Sequence, residues 1–300
     1  MRLNLWSGGR IEAEANRAEA LTQGGELAEA ATRDDAALLA AEAYINWARS
    51  IELFNLAVRN LESHSVTLED IRKIVAVDSG RQIDLNQAQV RMDNAALSKL
   101  QRETDLSQAR QRLMRFWLGQ LPVRPTGLSE ALAPSGRLGQ VPRTLDQVMA
   151  VVTDDLPSVA QQVKQVQAAT SGVSAARAQY WPTVDFTSAG VDAAVSQLKA
   201  AEFALDEARL VAREKASLAY HEWVSTQARS TQGAQQATVG DRVVDGYRQQ
   251  FRLGRRQLLD LLNIQAESFG YQSAAATAFY DEQVARVRLL AATGDLAKRF

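Results

Sequence analysis

One long helical pattern occurs twice in this chain, and that duplication limits the possible folds more than any other feature. AYINW at Ala43–Trp47 matches AYHEW at Ala219–Trp223, placing Tyr44 on Tyr220 and Trp47 on Trp223. The same offset sets Asp84 on Asp260, Leu85 on Leu261 and Gln89 on Gln265. At the near end SGGRIEAE parallels SAGVDAAV, and at the far end FWLGQL parallels AATGDL. Landmarks that return in the same order mark a duplicated supersecondary unit.

Within the first copy, Ala37, Ala40, Tyr44, Trp47, Ile51, Phe54, Val58 and Leu61 alternate in steps of three and four. That is the seven-residue period of a left-handed coiled coil, and it predicts one helix from about Arg10 toward Val77. Gly24–Gly25 is the point at which its first third is expected to loosen. Composition agrees with long helices in narrow seams: 46% of residues are hydrophobic, yet only 6% are aromatic. The expected fold is all-α, two long antiparallel helical hairpins of coiled-coil type.

Between the copies, Gly119–Thr144 holds four of the six prolines, Pro122, Pro125, Pro134 and Pro142. Continuous helix is impossible there, so the segment reads as the crossover. The expected organisation is therefore a first repeat over 1–118, a linker over 119–144 and a second repeat over 145–300. Thr144, with Gln147 three residues on, has the capping-box pattern of a helix start. That helix is expected to run to about Tyr180, stopped by Pro182, with Pro157 at a helix start or a kink.

Each repeat reverses at a glycine followed by arginine: VAVDSGRQIDLNQAQ at Val75–Gln89 and YRQQFRLGRRQLLDLLNIQAE at Tyr247–Glu267. Gly80 and Gly254 differ slightly in offset, so the two turns differ in length. Glycine reaches the left-handed conformation that closes a helix, which predicts hairpin tips at Ser79–Gly80 and Leu253–Gly254. Asp84 and Asp260 recur just inside the two returning helices, among leucines. Any helical hairpin needs a turn of this kind, so the turn alone indicates structure; the recurring aspartate is what asks for a role.

These tips, together with AARAQYWPTVDF (Ala175–Phe186), LNLWSGGRIEAEANRAEAL (Leu3–Leu21) and RLLAATGDL (Arg288–Leu296), resemble the TolC family of outer-membrane channel proteins. The resemblance covers nearly the whole chain and rests on the order and duplication of its motifs. It implies a homotrimer whose helices form a hollow periplasmic α-barrel beneath a small β-barrel in the outer membrane. It implies a passive conduit, docking with a periplasmic adaptor and an inner-membrane transporter, for type I protein secretion or small-molecule efflux. LWSGGRIEAE and GRRQLLDLLNIQAE lean toward protein export. Carried onto this sequence, the entrance carboxylates are Asp260 and Asp84, and the tip or adaptor-contact residues are Gly80, Arg81, Gly254, Arg255 and Arg256. Where some members have a second aspartate, this chain has Asn263, which argues against a doubled acidic ring. The alternative is a structural coiled-coil or adaptor protein without a channel; adaptors, however, carry one hairpin flanked by β-rich domains.

The chain also departs from the family. PTVDF runs almost directly into TSAGVDAAV, whereas a membrane strand needs about 9–11 residues. Membrane strands and the helix preceding the first hairpin are therefore expected to be missing. MRLNLWSGGRIEAE has no apolar signal core, and the expected site of the parent protein is the outer membrane and periplasm. Net charge is −1 with both signs interspersed and no basic tract, so no nucleic-acid partner is expected. Cysteine is absent. His64 and His221 lie in no metal-ligand spacing and read as packed or surface residues. No nucleophile elbow or phosphate loop appears, so neither an enzyme nor a cofactor is expected.

Overall fold

The computed structural model describes residues 8–116, 141–178 and 189–296. Helix α1 spans Arg10–Val77, a short 3₁₀ turn covers Ser79–Arg81, and α2 spans Gln82–Met114. After the crossover come α3 (Leu145–Val151), α4 (Pro157–Ala178), α5 (Ala189–Arg252) and α6 (Leu258–Ala292). The two expected hairpins are thus α1–α2 and α5–α6. At 1.5 Å per residue, the 68 residues of α1 extend about 100 Å. The proline-rich linker up to residue 140 and the segment around Pro182, where membrane strands are expected to be missing, lie outside the described residues. No helix among the described residues is long and apolar enough to cross a membrane.

The chain divides into two compact units. One comprises Met1–Leu38, Gln140–His221 and Arg288–Phe300; the other comprises Leu39–Gly139 and Glu222–Val287.

In the first unit, α1 passes through Gly24–Gly25 without a break, contrary to the expected loosening. Two glycines cost a helix about 2 kcal/mol, which neighbouring helices can offset by packing. The Gly24 face lies against the Lys164 side chain of α4, where an added Cβ would sit 3.5 Å from the lysine Cβ. Thr144 caps α3 as its sequence predicts, with Oγ1 accepting from the Gln147 amide at 3.3 Å. The Gln147 side chain reaches back to accept from the Arg143 amide at 2.9 Å.

This helix does not continue toward Tyr180. It stops at Val151, and α4 begins at Pro157. Proline has no N–H to donate, and its ring would strike the carbonyl four residues back, so of the two expected roles the helix start prevails. Arg209 of α5 clamps the intervening segment with both branches of its guanidinium on Asp154, Nε to Oδ1 at 2.8 Å. That hydrogen bond draws the Asp154 carboxyl below its ordinary pKa.

In the second unit, Trp47 and Trp223, matched by the repeat, are both buried. Trp47 packs with Ala109 and Leu113 of α2 and with Tyr44, Ile51 and Leu106 around them. The predicted seam therefore holds at Tyr44, Trp47 and Ile51. It fails farther along, where Val58 is exposed while Leu56, Ala57, His64, Leu68 and Ile71 are buried. The reason is that α1 has more than one neighbour here. Besides α2 it meets α6, through the Arg49–Asp281 ion pair at 2.9 Å and through Leu68 and Ile71 against Leu258 and Leu262. A single heptad seam cannot serve two partners, so the buried face widens.

Both helices of the second hairpin end in the same way. Gly254 and Gly294 have φ of +71° and +68°. The Gly254 amide bonds Phe251 O and the Arg255 amide bonds Gln250 O, each at 2.9 Å; Gly294 and Asp295 repeat this on Ala291 and Leu290. These are Schellman motifs, which satisfy carbonyls a helix end would otherwise leave open. An added Cβ at Gly254 meets open space, whereas one at Gly294 would lie 2.7 Å from Leu156 Cδ2. Gly254→Ala is therefore expected to cost about 1–2 kcal/mol from backbone strain alone, and Gly294→Ala more than Gly254→Ala. Urea unfolding midpoints compare the two variants; the reverse order would contradict the packing at Leu156.

Candidate functional site

The two tips lie in the same unit, and they use different chemistry despite their common origin. At the first, α1 ends at Val77 and Asp78 leaves helical geometry with φ −127° and ψ 92°. Its carboxylate accepts from the Gly80 amide at 3.1 Å, and the Arg81 amide closes the turn on Asp78 O at 3.2 Å. Gly80 does not adopt the left-handed conformation expected of it; among the described residues only Gly8, Gly9, Gly254 and Gly294 have positive φ. A side-chain-capped Asx-type turn reverses the chain instead. The sequence did contain the signal, since Asp-Ser-Gly is a common turn composition.

Arg81 then folds onto the return helix. Its Nε donates to Asp84 Oδ2 at 2.7 Å, with only 27% of the aspartate side chain exposed. Asp84 lies in the first turn of α2, where a carboxylate also meets the positive end of the helix dipole. It is held by a local cation and by the backbone together.

At the second tip, the turn after Gly254 exposes both Arg255 and Arg256. Arg256 lies against α5: Nε donates to Gln250 Oε1 at 3.0 Å, and the guanidinium sits 4.4 Å over the Tyr247 ring. A cation over an aromatic face gains about 0.5–1 kcal/mol at an exposed site. The same guanidinium reaches Asp260 only at 3.9 Å, through Nη1, and 43% of the Asp260 side chain is exposed. Leu258, Leu261 and Leu262 point inward, so Leu259 and Asp260 face outward on the first turn of α6. Arg255 makes no side-chain hydrogen bond or ion pair among the described residues.

An apolar cluster joins the tips. Leu68 and Ile71 of α1, Ala88 of α2, and Leu258 and Leu262 of α6 are buried together, with Leu85 and Phe251 against them. Polar contacts outside this cluster escaped sequence reasoning. Arg252 of α5 reaches Asp70 of α1 at 3.8 Å. Arg91 of α2 donates to Asn263 Oδ1 of α6 at 2.9 Å. Asn263, the position where a second aspartate was absent, is thus a hydrogen-bond acceptor for a neighbouring hairpin. Partners so far apart in the chain leave no periodic signal, so nothing in the sequence pointed to them.

No family model matches the sequence, nor does any curated protein. Solved structures do. The MtrE outer-membrane channel of Neisseria gonorrhoeae, in its open state, superposes with a TM-score of 0.79 at 17% identity, covering 96% of this chain and 72% of that one. The transmembrane channel protein CusC gives 0.82 at 16% identity, over 95% and 74%. A membrane protein from Pseudomonas aeruginosa gives 0.78 at 17% identity, over 97% and 72%. Paired hairpins with glycine-marked tips and a proline-rich crossover therefore carry, over nearly the whole chain, the helical-barrel fold of the TolC-family outer-membrane channels.

Proposed function

We propose that this chain forms the periplasmic α-barrel of an outer-membrane export channel, a passive conduit with its entrance at the hairpin tips. The observation that carries this reading is the match of nearly the entire chain to structures of outer-membrane channels. In this reading a periplasmic adaptor and an inner-membrane transporter engage the conduit, and its cargo is either a secreted protein or a small molecule. Exposed Arg255 suits contact with an acidic adaptor surface; Arg256, held against Tyr247, stiffens the tip.

Three copies close the barrel. Ile83, Val90 and Leu97 recur every seven residues along α2, and each is more than half exposed. A heptad stripe without a partner among the described residues is the pattern expected where another helix packs. Closed symmetric assembly covers such faces in every copy. Val90→Glu and Leu97→Glu, which place charge in this seam, are expected to shift the assembled protein from trimer toward monomer. Sedimentation of the detergent-solubilised protein reads this out, and intact trimers in both variants would remove α2 from the interface.

At the threefold axis, the Asp260 carboxylates of three copies would form a ring, and such rings bind cations at a constriction. The local geometry separates the two candidate aspartates. Asp84 is already neutralised by Arg81 at 2.7 Å, whereas Asp260 is more exposed and its arginine stands 3.9 Å away. Asp260→Ala is therefore expected to weaken block by multivalent cations several-fold, and Asp84→Ala to change it less. Single-channel recordings in a planar bilayer decide this. Unchanged block in both variants would exclude the aspartates from the entrance, and the absence of any conductance would overturn the conduit itself.

A further inference from the structure

Just behind the apolar tip cluster, a polar layer crosses all four long helices, and two of its buried atoms, His64 Nδ1 and Gln265 Oε1, lack a hydrogen bond. His64 of α1 is 4% exposed, and its Nδ1 is buried without a hydrogen bond. Its neighbours Ser63 and Thr67 on α1 are engaged. Ser63 Oγ accepts from Arg248 of α5 and from Gln265 of α6, each at 3.2 Å. Thr67 Oγ1 accepts from the same Gln265 amide at 3.1 Å. From α2, Arg91 brings its charge toward the imidazole while bonding Asn263 of α6.

The charges that face this layer leave an imidazolium without a counterion. Arg91 and Arg248 are cations, and α6 supplies the neutral amides of Asn263 and Gln265. The nearby carboxylates are committed elsewhere: Asp245 to Arg248, Asp241 to Ser268 and Gln272, and Asp93 to Gln89. Glu62 and Glu267 are exposed to solvent. Burial first, and Arg91 second, lower the pKa of His64 from the ordinary histidine value of 6.5.

We propose that His64 is a built-in acid sensor: taking up a proton places an unpaired cation in the layer joining α1 to α2, α5 and α6, and loosens the hairpins beside their tips. The direction follows from linkage. Above about pH 6.5 the imidazole is neutral in both the packed and the loosened states and favours neither. As pH falls below that value, the loosened state binds the proton that the packed state resists, so packing weakens until the lower packed pKa is reached. The device belongs to the chain's own packing and operates with or without a channel.

Hydrogen exchange of the full chain, corrected for intrinsic rates, tests this on peptides covering 57–75 and 258–265 between pH 7.5 and 5.5. In the wild type, the open fraction at these segments is expected to rise several-fold from pH 6.5 to 5.5, with about tenfold per pH unit as the limit for one proton. His64→Gln and His64→Leu are expected to flatten that dependence, whatever they do to the exchange level itself, while His221→Gln, at an exposed position, keeps it. A pH dependence that survives in both His64 variants overturns the proposal. Imidazole NMR of the His221→Gln protein supplies a measurement that needs no change at His64: a titration midpoint below 6.5 is expected, and one at or above 6.5 overturns the proposal as well.

Discussion

The contact on which the tips depend is apolar. Ile71 and Leu258 are almost wholly excluded from water in a cluster that also takes Leu68, Ala88 and Leu262. Burying a side chain of this size contributes about 1.5–3 kcal/mol, more than any exposed ion pair nearby. Pairs such as Arg252–Asp70, with both side chains well exposed, typically contribute 0–1 kcal/mol. The leucines therefore set where the tips stand, and the arginines and aspartates around them contribute little to that placement. That division of labour explains why the second return helix opens with LLDLL: Leu258 and Leu262 enter the cluster and Leu261 is buried too, while Leu259 and Asp260 remain outside.

Much of this was legible in the sequence, because duplicated motifs and heptad spacing are local and repetitive. The all-α hairpins, their turning points and the Thr144 cap follow from patterns a few residues long. What escaped depends on neighbours far away in the chain. The seam predicted through Val58 assumed one partner for α1, whereas α2 and α6 both press on it. The helix expected through Pro157 was divided because a start at proline forfeits no hydrogen bond, while passage through it forfeits one. At the tips, the offset sets Asp84 on Asp260, but it conceals the turn geometry that gives them different distances to their arginines.

The two turns show how a repeat diverges without losing its architecture. The connection between α1 and α2 is shorter than that between α5 and α6. The short one needs a side chain, Asp78, to satisfy the Gly80 amide, and it leaves Arg81 within reach of Asp84. The longer one closes through backbone alone at a left-handed glycine, which sends Arg256 back along α5 to Tyr247 and Gln250. The aspartates match by offset but their arginines do not: Arg81 stands three residues before Asp84 and Arg256 four before Asp260, giving a closed pair in one hairpin and a looser one in the other. Only the looser pair leaves its carboxylate available.

Gln89 and Gln265 carry the same point into the body of the hairpins. They are equivalent by repeat, yet Gln89 is half-buried and bonds Asp93 one turn along its own helix, while Gln265 is buried and bridges to Ser63 and Thr67 of α1. A long rod with an alanine-rich seam has little to prevent one helix sliding past another by a heptad, since small apolar side chains fit equally well at each step. A buried amide that finds its hydroxyl partners at only one register penalises every other, because it would be desolvated without them. Such a layer fixes alignment, and it requires polar groups inside a narrow core, which is the setting that makes an uncompensated imidazole costly to charge. The sensitivity assigned to His64 is thus a consequence of how long helices keep their register.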